Sequence, residues 1–183
     1  MEEQGNLNLK AFILSNSIVY FAAGLFGSFY FLFIEKMGGS IENFGISVGL
    51  MTIAQASTSY FGGKYSDKFG RKPFLIASGF ISALTVFLYT IINSLWQLFA
   101  LQVLNGIISS IYGTSELSFL GDITEKTTRG LNIGKYNAIV GIFAGLAVIL
   151  GGFLIGKFGF KLIFYFCSLF YLVGTLLLLR IKE

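Results

Sequence analysis

Apolar residues run on for about twenty positions at a time in this chain, separated by short clusters of charge, glycine and amide. Six runs stand out, at residues 11–34, 44–61, 73–92, 95–120, 133–155 and 160–179. Each has the length of a helix that crosses the hydrocarbon layer of a bilayer. None alternates every second residue, as the strands of a membrane barrel would. In lipid the backbone must satisfy its own hydrogen bonds, so continuous apolar runs of this length predict helices. The expected architecture is all-α integral membrane: one domain over residues 1–183 with six transmembrane helices.

Composition strengthens this reading. With 55% apolar and 12% charged residues, the chain has too little polar surface to cover a water-soluble globule. The first run is too long for the apolar core of a signal peptide, so it is expected to remain as helix 1. Histidine is absent, and Cys167 is the single cysteine, inside the sixth run. Imidazole ligands, Ser-His-Asp hydrolysis and an intrachain disulfide are thereby removed. No metal-ligand set, Gly-x-Ser-x-Gly elbow or phosphate-cradling loop is visible, so no enzyme, cofactor or metal site is expected.

Basic residues are shared unevenly between the two sets of loops. Ten of the 13 fall at the N-terminus (Lys10), between runs 2 and 3 (Lys64, Lys68, Arg71, Lys72), between runs 4 and 5 (Lys126, Arg129, Lys135) and at the C-terminus (Arg180, Lys182). The opposite set holds Lys36, Lys157 and Lys161. Retention of positive charge inside the cell predicts both termini on the cytoplasmic side of the plasma membrane. This distribution accounts for the net charge of +4 with the lipid bilayer as surrounding and no nucleic acid as partner.

Between runs 2 and 3, residues 63–72 read Gly-Lys-Tyr-Ser-Asp-Lys-Phe-Gly-Arg-Lys. Gly63 lets backbones approach, Gly70 permits a tight turn, and Asp67 and Arg71 bring opposite charges together. Pro73 follows, in the first turn of the next helix, where its missing N–H does no harm. This pattern, G-x-x-x-D-K-x-G-R-K, resembles the signature between helices 2 and 3 of the major facilitator superfamily. The resemblance implies a solute carrier. It also implies a conformational latch in which Gly63, Asp67, Lys68, Gly70, Arg71 and Lys72 work with Asp122, which matches the family's acid at the end of helix 4, and with Arg129, which matches its Arg-Gly pair.

An internal echo points the same way. Gly62-Gly63-x4-Lys68-Phe69-Gly70-x-Lys72 recurs 89 residues later as Gly151-Gly152-x4-Lys157-Phe158-Gly159-x-Lys161. Helix 2 then maps onto helix 5, and the six helices are expected to form two inverted three-helix repeats, half of the family's fold. In the second copy Gly156 stands for Asp67 and Phe160 for Arg71, so one end alone keeps the charged pair.

Helix 4 carries Gln102, Asn105, Ser109, Tyr112 and Glu116 at steps of 3, 4, 3 and 4, a polar stripe on one face. A stripe of this kind avoids lipid, and a carboxylate within it is a functional candidate. Protonated, Glu116 would hold a proton or hydrogen-bond a substrate; ionised, it would call for a cation such as Arg71 or Arg129; alternatively it sits at the interface. Asn16 and Tyr20 with Ala23 or Gly24 on helix 1, and Thr52, Gln55 and Ser59 on helix 2, offer two further faces of a candidate substrate or proton cavity. Gly141, Gly145, Gly152 and Gly156 on helix 5 are spaced for close helix packing. Two departures from the family pattern bear on substrate: Gln102 stands where many members have Arg, and Ala147-Val148 replaces the Gly-Pro of drug-proton antiporters.

The resemblance covers nearly all of this chain but only the N-terminal half of a typical member. The expected function is transport of a small solute by alternating access, with a second six-helix half supplied by a separate chain, by further C-terminal sequence or by a second copy. The alternative is a non-transporting membrane scaffold or regulator, or a gene fragment.

Overall fold

The computed structural model describes residues 2–181, with side chains from Leu7 onward. Lys182, which entered the charge reading, lies outside this set. Seven helices follow in order: α1 Glu2–Gly27, α2 Tyr30–Lys36, α3 Ile41–Phe69, α4 Arg71–Leu88, α5 Leu95–Asp122, α6 Arg129–Phe158 and α7 Phe160–Leu178. The described residues form no strand. Five helices, α1 from Leu7 together with α4, α5, α6 and α7, are long and apolar enough to cross a membrane. α3 has the length, 29 residues, but Thr52, Gln55, Ser57, Thr58 and Ser59 interrupt its apolar run.

Two boundaries differ from expectation in ways that matter. The first run is not one helix: α1 stops at Gly27 and α2 begins at Tyr30, because Gly27 and Ser28 are adjacent weak helix formers at which helices bend. The polar turn expected over residues 63–72 contracts to the single residue Gly70. Gly63–Phe69 are the last turns of α3, and α4 starts at Arg71. Gly70 makes the reversal possible with φ +94° and ψ 146°, a conformation closed to residues with a Cβ. Gly159 joins α6 to α7 in the same way, with φ +76° and ψ 176°.

The longer links carry conventional caps. The Ser40 N–H donates to Asn43 Oδ1 at 2.9 Å before α3, and the Asn93 N–H donates to Gln97 Oε1 at 2.9 Å before α5.

α3 packs on α5, α1 on α6 and α7, and α4 on α5 and α7. One apolar cluster, with Phe12, Leu75, Phe119, Leu120 and Leu178, fills the end near Gly70. A second, with Tyr30, Phe33, Tyr89, Phe160 and Phe164, fills the end near Gly159. Where lipid replaces water, burying apolar area does little to hold helices together, so small residues and interhelical hydrogen bonds matter more. Ser15 donates to the Gly174 carbonyl at 2.7 Å, Ser168 to the Ala83 carbonyl at 2.9 Å, and Cys167 Sγ to the Ala22 carbonyl at 3.2 Å.

Close helix contact falls on other glycines than the α6 set anticipated. A Cβ added at Gly141, Gly145 or Gly156 would meet nothing within 4 Å, and one at Gly152 would touch the Phe29 ring at 3.3 Å. The tight joints between α1 and α6 are Gly24, whose added Cβ would lie 2.6 Å from the Ala144 carbonyl oxygen, and Gly151, which abuts the Leu25 carbonyl. Spacing identified glycines able to pack, whereas the rotation of α6 decides which of them face a neighbour.

Candidate functional site

The polar stripe of α5 turns inward, and its carboxylate is the centre of the arrangement. Glu116 is 5% exposed. Tyr20 on α1 donates its hydroxyl hydrogen to Glu116 Oε2 at 2.9 Å, and Tyr136 on α6 donates to Oε1. One turn earlier on α5, Tyr112 donates to Asn16 Oδ1 at 2.5 Å, and Asn16 is held in turn by donating from Nδ2 to the Phe12 carbonyl at 3.2 Å. The carboxylate is thus satisfied by phenols from two other helices. Neither Arg71 nor Arg129 reaches it, contrary to the pairing considered above.

Glu116 and Tyr136 stand in the wall of a cavity of about 580 Å³ that also meets Gln55, Ser59, Asn137 and Gly141. A neighbouring cavity of about 380 Å³ shares Tyr20, Gln55, Ser109 and Glu116 and adds Tyr112 and Tyr171. A third, of about 360 Å³, lies further along α5 against Gln102, Asn105 and Ser109, with Tyr30, Tyr89 and Phe26 opposite. There Asn105 Nδ2 donates to the Tyr89 hydroxyl at 2.7 Å. Ser109 borders all three. Of the expected cavity residues, Tyr20, Gln55, Gln102, Asn105, Ser109, Tyr112 and Glu116 line this space. Asn16 is fully buried behind it. Gly24 turns to α6, and Thr52 spends its hydroxyl on the Val48 carbonyl. No lining residue of the three cavities is basic.

At the Gly70 end the charges divide. Arg71 forms ion pairs with Asp122 and, at 3.2 Å, with Asp67, and donates to the Ser118 carbonyl at 2.9 Å. Three members of the expected latch therefore meet, bridging the α3–α4 link to the end of α5. The others do not join them. Lys68 lies over the Phe69 ring at 5.1 Å, Lys72 donates to the Ile181 carbonyl at 2.6 Å, and Arg129 donates to the Thr124 carbonyl at 3.4 Å. Gly63 has open space where a Cβ would stand.

Sequence reasoning missed Tyr136, Asn137, Tyr89 and Tyr171. The first had a signal: Tyr136, Val140, Ala147 and Gly151 are the buried residues of α6, and their helical spacing marks an inward stripe headed by a hydroxyl.

Polar groups from α1, α3, α5 and α6 converge on the 580 Å³ cavity, in a bundle that holds five helices long and apolar enough to cross a membrane. The chain matches the model of the Major Facilitator Superfamily over residues 12–183. It belongs to that family, whose members are membrane transporters and not enzymes. The uncharacterized MFS-type transporter YitZ of Bacillus subtilis is 30% identical over 162 residues, which is 88% of this chain and 99% of that protein. The uncharacterized MFS-type transporter YuxJ of the same organism is 29% identical over 93% of this chain and 45% of its own length. The multi-drug resistance efflux pump PmrA of Streptococcus pneumoniae is 24% identical over 96% of this chain and 45% of its own. The chain thus spans nearly all of the first relative and less than half of the other two.

Proposed function

We propose that this chain is a six-helix half of an alternating-access solute transporter, with α3 as a further span, and that it works against a second six-helix bundle. The observation that carries the reading is the buried Glu116 carboxylate, held by Tyr20 and Tyr136 in the wall of the 580 Å³ cavity. A carboxylate at membrane depth is costly to keep and is retained where it does work. The second bundle comes from a separate chain, from sequence beyond these residues or from a second copy. Gln55 and Ser57 support it, because they are exposed on α3 where lipid would leave them unsatisfied.

The 89-residue echo supports two inverted three-helix units, since the single-glycine links Gly70 and Gly159 fall in register and share one conformation. In this reading both termini face the cytoplasm, and Asp67, Arg71 and Asp122 form a latch that favours one arrangement until broken. A cavity wall with one carboxylate and no basic group suits a cationic or hydrogen-bonding solute better than an anion. The likeness to a protein named as a multidrug efflux pump adds amphipathic organic compounds to those worth testing.

The test is flux in proteoliposomes that hold this chain with a second six-helix half, against a panel of organic cations, neutral sugars and organic anions. Flux of a cation that disappears in Glu116→Ala is the expected result. Flux that is the same with and without the Glu116 carboxylate would remove it from the site, and no flux from any pairing would favour a scaffold role.

A further inference from the structure

Arg71 and Asp122 have counterparts at the other end of the bundle. Phe160 stands 89 residues after Arg71, and Asp122 stands 89 residues after Phe33. The two phenylalanines meet, with ring centroids 5.4 Å apart at 60°. Each end has the same parts: a helix pair joined by a single positive-φ glycine (Gly70 or Gly159), and a third element, the last residue of α5 or the middle of the short helix α2, against which the second helix of the pair is fastened by its first residue. Lys68 over Phe69 at 5.1 Å is likewise matched by Lys157 over Phe158 at 5.3 Å. What differs is the fastening, which is an ion pair at one end and an aromatic pair at the other.

We infer that Phe33 and Phe160 are the aromatic equivalent of the Arg71–Asp122 clasp, one joint of the fold built twice from different chemistry. The surroundings suit each version. Asp122 is 57% exposed, so its ion pair is open to competing salt. Phe33 and Phe160 are 7% and 8% exposed and sit among Phe26, Tyr89 and Phe164, where a charge would lack solvation. Lys36 caps this end with its ammonium 5.9 Å from the Phe160 ring. The consequence is a one-sided response. Ionic strength loosens the α4–α5 joint and leaves the α2–α7 joint unchanged, so the two ends of the bundle can be released independently.

Thermal unfolding of the purified chain in detergent, at low and high sodium chloride, tests this without any transport readout. In the first cycle Arg71→Phe and Asp122→Phe are made singly and together. Each single change is expected to lower the midpoint, and the pair to recover at least half of the summed loss, with the salt dependence of the unmodified protein gone. In the second, Phe33→Asp with Phe160→Arg is compared with the same exchange at Phe26 and Phe164, a neighbouring pair 4.7 Å apart at non-equivalent positions. Recovery is expected at the first pair and not at the second. Strict additivity in the Arg71–Asp122 cycle, or a midpoint of the unmodified protein that does not move with salt, overturns the proposal. The half-exposed end tolerates substitution, so the first cycle decides even if the buried exchange does not fold.

Discussion

The Tyr136 hydroxyl on α6 donates to the Glu116 carboxylate on α5, so residues 20 apart on two helices share the buried acid in the wall of the 580 Å³ cavity. Replacing Glu116 by Gln keeps the shape and one acceptor oxygen but removes the charge. Since charge-assisted hydrogen bonds are roughly twice as strong as neutral ones, binding of an organic cation is expected to weaken by about tenfold or more. Equilibrium binding to the purified chain with its second half measures it. Tyr136→Phe is expected to lower stability by about 1–2 kcal/mol through loss of one hydrogen bond to the carboxylate, with a smaller change in binding.

Arg71 carries more than its ion pairs. Because Asp67 and Asp122 are 61% and 57% exposed, Asp67→Asn is expected to cost no more than about 1 kcal/mol in thermal unfolding. Arg71→Ala also frees the Ser118 carbonyl and should cost about 1–2 kcal/mol. If the cluster is a latch, Asp67→Asn slows flux well beyond what its small stability change accounts for. Transport equal to that of the unmodified protein would remove the latch.

Two glycines of the signature segment should respond differently to alanine. Gly70→Ala forces a Cβ into φ +94° and is expected to destabilise by about 1–3 kcal/mol. Gly63→Ala lies in a helix with open space around the added carbon, so it should be neutral or stabilising by up to about 1 kcal/mol. Thermal midpoints of the two variants decide, and equal effects would contradict the single-residue turn.

On α5 the same contrast tests helix contact. A Cβ at Gly106 would run into the Met51 carbonyl and lie 3.0 Å from Ala54 Cβ, whereas one at Gly113 meets nothing within 4 Å. Gly106→Ala is expected to cost about 1–3 kcal/mol by pushing α3 from α5, and Gly113→Ala to cost nothing measurable.

Orientation is testable by labelling. With Cys167, which is buried, changed to Ser, Lys68→Cys should be reached by an impermeant maleimide only after the cells are opened, and Lys157→Cys in intact cells. Exposure of both to one compartment would reject the inverted arrangement.

Much was legible in the chain because a bilayer leaves few options. Runs of apolar residues give helices, the α5 stripe Gln102–Glu116 was placed inside by its spacing and the cost of polar groups in lipid, and the Asp67, Arg71 and Asp122 cluster followed from the resemblance of residues 63–72 and of the acid that ends helix 4. Less legible were features set by helix rotation. Nothing in the spacing of Gly141, Gly145, Gly152 and Gly156 told that Gly24 and Gly151 would make the contacts. For an ionised Glu116, charge complementarity in the sequence points to Arg71 or Arg129 as one option beside a protonated or interfacial acid, yet the fold brings Tyr20 and Tyr136 there.

The sequence by itself determined that this is a helical membrane protein, because hydropathy over about twenty residues is a local property that lipid reads directly, while its likeness to the major facilitator family rests on the motif Gly63–Lys72. Tertiary structure alone decided which polar groups meet. Contacts such as Tyr20 with Glu116, 96 residues apart in the chain, depend on the tilt and rotation of whole helices. Those are fixed by the sum of many small packing contacts and by no single motif.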